Sequence, residues 1–366
     1  MTIVQIVRSP AGGIRKHVMD VIQHFVARGD RVILVADLSS GDETFKKQVN
    51  EDWFKDVKVI HLSIHRSPHP SDLKNLWKLF KILKPMKPEI IHGHGAKGGM
   101  YARILGGAKK SVYSPHGGSL HANYGALKNY LYQLVEKLLL PFTGRVVVES
   151  QYTNKQFKKL ISEGFQRVSI NYNGIAFPHE RPQKKPLKYR VAALGLLREL
   201  KGFDLLIRAA EELSVEYPDL KVKISGEGEE RESLQQLITK LHLEEVVELT
   251  GEVESPLQTY EWADVVVVPS RFESFGLVAL EAMAQGVPVI VSYTGGLMEL
   301  VEHGETGRIF TRDSSSDLAE VLRTTFQHWE LTQKYAEKAF EVAKSKYTME
   351  HMLLGLEKTY SLLTKR

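Results

Sequence analysis

The chain has 366 residues, 43% of them hydrophobic and 25% charged, with a formal net charge of +5. This is the composition of a globular protein, and the length exceeds what one hydrophobic core normally serves, so two domains are expected. The absence of cysteine excludes disulfides and thiolate metal sites and fits a reducing compartment.

No targeting or membrane-spanning signal is recognisable. Residues 2–7, TIVQIV, form an apolar run of strand length with no basic segment and no small-residue cleavage site. No apolar run approaches the roughly 18 residues that cross a bilayer. We therefore expect a cytoplasmic protein, with peripheral attachment to the inner face of the plasma membrane left open.

The first half reads as strands alternating with helices. Apolar runs of strand length occur in TIVQIV, RVILVAD, PEIIHGHG, KSVYSPHGG and GRVVVES. Between the first two lies IRKHVMDVIQHFVARG, which has apolar residues at helical spacing and ends on Gly29. This alternation predicts a parallel sheet with right-handed crossovers.

The alternation stops in AFPHERPQKKPLK, which is rich in Pro and Lys and is the best candidate linker. It then resumes with strands in KYRVAALG, LKVKISGEG, EWADVVVVPS and VPVIVS, and with the helix FGLVALEAMAQG that Gly286 closes. We therefore predict two Rossmann-like domains, each with ligand loops beyond the carboxyl ends of its strands.

The strongest functional signal is RFESFGLVALEAMAQGVPVIVS, in which seven residues separate Glu273 from Glu281. Ser274, Phe275 and Gly276 lie where a helix should begin, and free N–H groups there favour phosphate oxygens. Carboxylates on either side suit sugar hydroxyls, and Glu281 suits the cis-diol of a ribose. Taken as a pair alone, two glutamates on a surface helix would be the default interpretation.

With the GG that follows it, this segment resembles the retaining glycosyltransferases of family 4. The resemblance extends to GG near the N-terminus, HG in the middle, NG before the linker and KG at the start of the second half. It implies the GT-B fold, in which two Rossmann-like domains with parallel sheets face each other across an interdomain cleft. The implied domains are an acceptor-side domain at 1–175 and a nucleotide-sugar donor-binding domain at 176–349, with a helix at about 350–366 packing back on the first.

The resemblance also assigns roles in the second half. Glu281 would hold the donor ribose, and Glu273 the hydroxyls of the transferred sugar. Donor contacts would further include Phe275 and the backbone amides of Gly276 and Leu277. Arg198 and Lys201 in GLLRELKGF would neutralise the leaving diphosphate, which suits their charge. Many family members carry Arg directly after the glycine, where this chain has Leu196.

In the first half, Gly12 and Gly13 lie in a strand-to-helix turn where a missing Cβ lets a ligand approach the backbone. The resemblance makes them contacts of the donor phosphates or the acceptor, with a plain tight turn as the alternative. It places His116 beside the transferred sugar as a catalytic group.

His92 and His94 form a His-x-His pattern with Lys97 nearby. Without an acidic or cysteine ligand at supporting spacing, a metal site is disfavoured. Acceptor contact is the better interpretation of Lys97.

No Asp-x-Asp occurs in the chain. Transferases of the other common fold use that motif to hold a divalent ion on the donor diphosphate. Its absence, with the cations Arg198 and Lys201, predicts transfer with no metal and no cofactor.

The charge is unevenly distributed. Residues 1–178 hold 26 Lys and Arg against 13 Asp and Glu, which is a charge of +13. Because the whole chain carries +5, the remaining residues carry −8. The basic half should favour an anionic surface or a phosphorylated ligand, although opposite charges also help two domains to attract each other.

Two segments of that half are amphipathic. SDLKNLWKLFKILKP has one predicted apolar face, made of Leu73, Leu76, Trp77, Phe80 and Leu83. Domain packing is favoured for this helix over membrane contact. ANYGALKNYLYQLVEKLLLPF is aromatic and suits either an interface with lipid or a cover over the acceptor.

The sequence thus predicts a retaining, metal-independent hexosyltransferase that uses a nucleotide-sugar donor, with UDP as the nucleotide favoured by the resemblance. The expected acceptor is a lipid-linked glycan in polysaccharide or glycoconjugate synthesis, or a small molecule, and no nucleic-acid partner is expected. A sugar phosphorylase and a non-catalytic sugar-nucleotide-binding protein stay open, because fold does not fix function.

Overall fold

The structure, a computed structural model, describes residues 1–121, 125–182, 186–253 and 255–364. The chain divides into two compact units. Unit 1 comprises Met1–Tyr172 with the C-terminal segment from Glu350, and unit 2 comprises Asn173–Met349. Part of the predicted linker (183–185) and the start of the aromatic segment (122–124) lie outside the described residues.

Unit 1 contains a seven-stranded sheet in the order β3-β2-β1-β4-β5-β6-β7, and every neighbouring pair is parallel. Its central strands β1 and β4 are buried along almost their whole length, as strands covered on both faces are. In chain order the strands are β1 Thr2–Val7, β2 Arg31–Ala36, β3 Lys58–His61, β4 Ile90–His94, β5 Ser111–Ser114, β6 Arg145–Val148 and β7 Val168–Ile170.

The helices of unit 1 cover this sheet. The first of them buries Val18, Val21, Ile22 and Phe25, one stripe at helical spacing. The helices are α1 Gly12–Ala27, α2 Glu43–Gln48, α3 Ser71–Leu83, α4 Gly95–Lys110, α5 Gly118–His121, α6 Ala126–Leu139, α7 Gln151–Leu160 and, at the end of the chain, α15 Met349–Thr364.

Unit 2 contains a six-stranded parallel sheet in the order β10-β9-β8-β11-β12-β13. Its strands are β8 Arg190–Leu194, β9 Lys221–Ser225, β10 Val247–Gly251, β11 Val265–Val268, β12 Val289–Ser292 and β13 Arg308–Phe310. Its helices are α8 Phe203–Glu216, α9 Arg231–Lys240, α10 Pro256–Trp262, α11 Leu277–Ala284, α12 Leu297–Leu300, α13 Ser315–Gln327 and α14 Trp329–Lys346.

Each sheet reverses its strand order once, between β1 and β4 in unit 1 and between β8 and β11 in unit 2. At such a point the connections leave in opposite directions and open a crevice beyond the carboxyl ends of the two strands. Both units therefore have the predicted α/β architecture with parallel sheets, and the fold class is confirmed. The two crevices are where ligand-binding side chains are expected.

The amphipathic helix α3 differs from its prediction. Leu79 and Leu83 are buried, whereas Leu73, Trp77 and Phe80 are exposed, so the predicted single apolar face is divided between core and surface. The ammonium of Lys81 lies 3.5 Å from the centre of the Trp77 ring, which shields part of that ring from water.

Helix α6 is anchored through a buried glutamate. Buried Glu136 accepts hydrogen bonds from Arg103 on α4 at 2.7 Å and from the Tyr113 hydroxyl on β5 at 2.8 Å. The opposite face is apolar and exposed by 39–73%, and consists of Leu127, Tyr130, Leu131, Leu134, Val135 and Leu138. No helix of the described residues is long and apolar enough to cross a membrane.

Candidate functional site

The crevice of unit 2 brings together two predicted site residues from distant parts of the sequence. Lys201 ends a short 3₁₀ turn after β8, and Glu273 follows β11. The Lys201 ammonium donates to Glu273 Oε2 at 2.6 Å, and both side chains are mostly buried. Lys201 is therefore not a fully solvated lysine at a helix start.

The glycine after Lys201 makes this approach possible. Gly202 has φ +67°, and a Cβ there would lie 2.2 Å from the carbonyl oxygen of Pro269 at the end of β11. A side chain would therefore separate the two loops, which explains the Lys-Gly pair in structural terms.

Arg271 fixes the same loops, and sequence reasoning missed it. Its guanidinium donates to both carboxylate oxygens of Asp204, at 2.8 and 2.7 Å, and to the Glu199 carbonyl at 2.7 Å. The bond to Asp204 raises the pKa of Arg271 above its ordinary value, so the charge is permanent. Its partner is 67 residues away, and no local pattern indicates the pairing.

The backbone of Glu273 is held by the two glycines that follow β12. The Gly296 N–H donates to the Glu273 carbonyl at 2.9 Å. Gly295 has φ +51°, and a Cβ there would lie 1.9 Å from that carbonyl oxygen. The GG of the motif thus positions Glu273 through its main chain.

Helix α11 begins next to Glu273 with open N–H groups. Its N-cap is Gly276, which provides no side-chain cap, and the amides of Gly276 and Leu277 have no partner among the described residues. Phe275 is buried, with its ring 5.7 Å from that of Tyr347. Phe275 can therefore reach a ligand only through its backbone.

Glu281 lies on α11 and accepts a hydrogen bond from the Tyr260 hydroxyl at 2.7 Å. Burial, followed by the charge and hydrogen bond of Glu281, raises the pKa of Tyr260 well above its ordinary value. Tyr260 therefore stays a donor and orients the carboxylate. Tyr260 could not be predicted from the motif, because it lies outside it on α10.

Arg198 is exposed in the loop after β8, and no carboxylate in the described part of the chain pairs with it. Its neighbour Leu196, where many family members have Arg, is also partly exposed. Arg198 is thus the cation of this loop that is available to an anionic ligand.

In unit 1, His116 belongs to a cluster of imidazoles. Its Nε2 lies 2.9 Å from His94 Nδ1, and its ring centre lies 5.0 Å from that of His17 on α1. The ring of His92 is 4.1 Å from that of His94. His17 was not predicted, because the chain separates it from the others and only the β1-α1 crossover brings it to the end of β4.

A chain of hydrogen bonds sets the protons of this cluster. Gln5 Oε1 can only accept, so His94 Nε2 carries the proton in their 2.7 Å contact. His94 Nδ1 must then accept from His116 Nε2–H. On the other side, Gln5 Nε2 donates to the Tyr360 hydroxyl at 3.1 Å, and that hydroxyl donates to His92 Nδ1 at 2.8 Å.

Burial is the main cause that lowers the pKa of His92, His94 and His116 well below the ordinary 6.5, and neighbouring imidazoles add to it. The three rings are therefore neutral at neutral pH. Each has one donor and one acceptor nitrogen, as the hydrogen-bond chain requires.

His17, His94 and His116 each offer a ring nitrogen within 4.8 Å of the others, a spacing that could hold a metal ion. The third imidazole of this group, that of His17, lies far from the His-x-His pattern in the sequence and was not expected as a ligand. Both nitrogens of His94 already take part in hydrogen bonds, so an ion would have to replace the bond to His116. Metal-free transfer stays a prediction.

Two further predicted contacts have partners within unit 1. The Gly12 N–H donates to Asp42 Oδ2 at 2.8 Å, so this amide is already occupied, whereas that of Gly13 has no partner among the described residues. Lys97 forms an ion pair with Asp72. Burial opposes the charge of Asp72, but hydrogen bonds from Lys97 and Tyr101 outweigh it and lower the Asp72 pKa.

With this geometry in place, comparison with known families is informative. Residues 11–177 match the family model Glycosyltransferase Family 4, and residues 176–342 match Glycosyl transferases group 1. Between them the two models cover almost the whole chain, which is therefore a glycosyltransferase of the GT-B type. The predicted enzyme class is confirmed at this level. Membership of the retaining family as a whole and the roles of the two motif glutamates stay predictions.

Individual relatives agree with this assignment. The chain is 25% identical to glycogen synthase of Mycobacterium tuberculosis over an alignment of 389 positions, gaps included, that covers 97% of this chain and 92% of the relative. It is similar to the structure of Anabaena HepE in complex with UDP and glucose, with TM-score 0.83, 22% identity and coverage of 99% and 100%. Sucrose-phosphate synthase from Thermosynechococcus elongatus gives TM-score 0.84, 20% identity and coverage of 100% and 99%. The structural likenesses establish the GT-B fold.

The buried imidazoles predict how stability depends on pH. Below pH 6.5 the unfolded chain binds protons that the folded chain does not, so the free energy of unfolding should fall as pH decreases from 7 towards 5. Each such histidine contributes up to about 1.4 kcal/mol per pH unit. Urea unfolding at pH 7.5, 6.5 and 5.5 measures this slope. His94→Gln should reduce it, whereas the exposed control His242→Asn should not; equal slopes in both variants would contradict the prediction.

Proposed function

We propose that this chain is a retaining glycosyltransferase that moves a hexosyl group from a nucleotide-sugar, most simply a UDP-sugar, to an acceptor hydroxyl. The observation that carries the proposal is the Lys201–Glu273 pair beside the open N-terminus of α11, at the strand-order reversal of unit 2. A cation, a carboxylate and free N–H groups are what a sugar diphosphate requires. The complex of Anabaena HepE with UDP-glucose supports the choice of donor.

In the proposed donor complex, Glu281 binds the ribose hydroxyls with one oxygen already oriented by Tyr260. The amides of Gly276 and Leu277 bind the diphosphate together with Arg198. Glu273 exchanges its bond with Lys201 for hydroxyls of the transferred sugar, and Lys201 turns to the diphosphate. The ion pair thus keeps two partly buried charges satisfied until the donor arrives.

The proposed chemistry is front-side attack by the acceptor hydroxyl on the anomeric carbon, with retention of configuration. As the bond to the donor phosphate breaks, negative charge grows on the leaving diphosphate. Arg198, Lys201 and the amides of α11 stabilise that charge more strongly in the transition state than in the ground state. His116 is proposed to hydrogen-bond a hydroxyl of the transferred sugar, and no protein nucleophile is required.

Unit 1 is proposed to bind the acceptor, a lipid-linked glycan in polysaccharide or glycoconjugate synthesis. The alternative acceptor is a small molecule, for which sucrose-phosphate synthase is a precedent of the same fold. A phosphorylase would release sugar 1-phosphate in the presence of phosphate, and a binding protein would bind donor without turnover.

The two glutamates are predicted to act on different parts of the donor. Glu281→Ala should weaken UDP binding by roughly 1–3 kcal/mol, the usual loss for hydrogen bonds to a charged group. Glu273→Gln should reduce turnover more than UDP affinity, because its partner is the sugar. Calorimetry with UDP and an assay of released UDP measure the two effects. Glu341→Ala, an exposed glutamate of unit 2, is the matched control, and wild-type behaviour of both test variants would exclude the assignment.

Transfer is proposed to need no metal, because Arg198 and Lys201 provide the positive charge for the diphosphate. Activity should survive EDTA, and Lys201→Ala should abolish most of it at saturating acceptor. The exposed Lys240→Ala serves as control. Strict dependence on added Mg²⁺ or Mn²⁺ would overturn this proposal.

Peripheral membrane docking of unit 1 is proposed on the exposed apolar face of α6 and the charge of +13 in residues 1–178. Amphipathic faces of this kind insert into the headgroup region, and each nearby basic residue adds about 1 kcal/mol with anionic lipid. Salt should weaken the contribution of charge but not that of insertion.

Co-sedimentation with vesicles tests this docking. Binding should require anionic lipid and decrease with salt. It should be lost when Tyr130 and Leu138 are both changed to Ser, whereas Val215→Ser, at a still more exposed apolar residue of unit 2, should have no effect. A protein that ignores anionic vesicles at low salt would favour the small-molecule acceptor.

A further inference from the structure

Unit 1 has a pocket of about 150 Å³ at its own strand-order reversal, beyond the carboxyl ends of β1 and β4. That volume is roughly ten times the 10–15 Å³ that one water molecule needs. It accommodates a phosphate group and part of a sugar, but not an extended polymer. All of its lining residues belong to unit 1.

The lining of the pocket is positively charged. Arg8 follows β1, Arg66 lies in the loop after β3, and Lys97 lies in the first turn of α4. Lys97 forms an ion pair with Asp72, which is not among the described lining residues. No aspartate or glutamate occurs among the described lining residues.

The backbone adds a second, independent feature. Gly95 and Ala96, the first residues of α4, line the pocket. The His94 side chain does not cap this helix, and the amides of Gly95 and Ala96 have no partner among the described residues. Open N–H groups at the positive end of a helix that is regular as far as a kink at Gly107 favour an anion, as the arginines do.

We infer that this pocket is an anion subsite of the acceptor, and that the acceptor of this transferase carries a phosphate group next to the sugar portion that reacts. The inference rests on the proposed function. The donor diphosphate is not the expected occupant, because unit 2 has its own set of groups for it in Arg198, Lys201 and the N-terminus of α11. A phosphorylated sugar in solution and the phosphate of a lipid-linked acceptor present the same chemistry to the pocket.

Binding of inorganic phosphate to the full chain at low ionic strength tests the subsite without turnover. Calorimetry should show phosphate binding that Arg66→Ala weakens at least tenfold. Arg66→Lys should weaken it less, because lysine keeps the positive charge but cannot form the pair of parallel hydrogen bonds that a guanidinium forms with phosphate. Arg31→Ala, an exposed arginine at the opposite end of β2, should match wild type. Absence of phosphate binding, or equal loss in the Arg66 and Arg31 variants, would overturn the inference.

UDP separates this result from the proposed function. UDP should bind the Arg66→Ala variant as it binds wild type, and it should leave the phosphate binding that depends on Arg66 unchanged. Displacement of this Arg66-dependent phosphate by UDP would assign the pocket to the donor and contradict the inference. Failure of UDP to bind the wild type would instead contradict the donor site of unit 2.

Two competition experiments with candidate acceptors identify the source of the phosphate. In one arm a hexose phosphate competes with inorganic phosphate in solution, and in the other the competitor is a phosphomonoester lipid in vesicles. Competition by the first alone assigns a soluble acceptor, and competition by the second assigns a lipid-linked one. Failure of both to compete would show that the pocket takes free phosphate only and would overturn its role in acceptor binding.

Discussion

Parallel strand pairing is the constraint on which both candidate sites depend. In a parallel sheet every strand ends at the same edge, and the helices that follow begin there with unpaired N–H groups. Where the strand order reverses, two such ends separate and leave a crevice. Unit 1 and unit 2 each contain one reversal, and each crevice holds cations beside an uncapped helix.

The two crevices use this shared geometry differently. In unit 2 the principal cation is already paired with a carboxylate, since Lys201 donates to Glu273. A ligand there must bring both an anion for the lysine and hydroxyls for the glutamate, as a sugar diphosphate does. In unit 1 the described lining of the pocket contains basic side chains and no carboxylate. This composition suits an anionic group of a ligand, and it offers no carboxylate to accept hydrogen bonds from sugar hydroxyls.

The candidate donor-site residues could be proposed from the sequence because they lie in short segments with a fixed relation to strand ends. Glu273, Gly276 and Glu281 belong to one strand-loop-helix unit, and Arg198 and Lys201 to another. The supporting residues could not be predicted, since Asp204 reaches Arg271 and Tyr260 reaches Glu281 only after the chain has folded. Helix α3 shows the same limit: its apolar residues follow helical spacing, but only packing decides which of them are covered.

The histidine cluster shows how a distant segment can define a site. Neutral imidazoles have two possible tautomers, and hydrogen bonds from fixed partners decide between them. Here the choice is transmitted from Tyr360 on α15 through Gln5 on β1 to His94, and from His94 to His116. Tyr360 is completely buried, and the stacking of its ring on Phe25, with 5.1 Å between ring centres, secures α15 against α1. The return of the C-terminal helix to unit 1 therefore does more than cover apolar surface. The Tyr360 hydroxyl accepts from the Gln5 amide, whose orientation sets the proton positions of His94 and His116, so α15 and the candidate catalytic histidine form one hydrogen-bonded system.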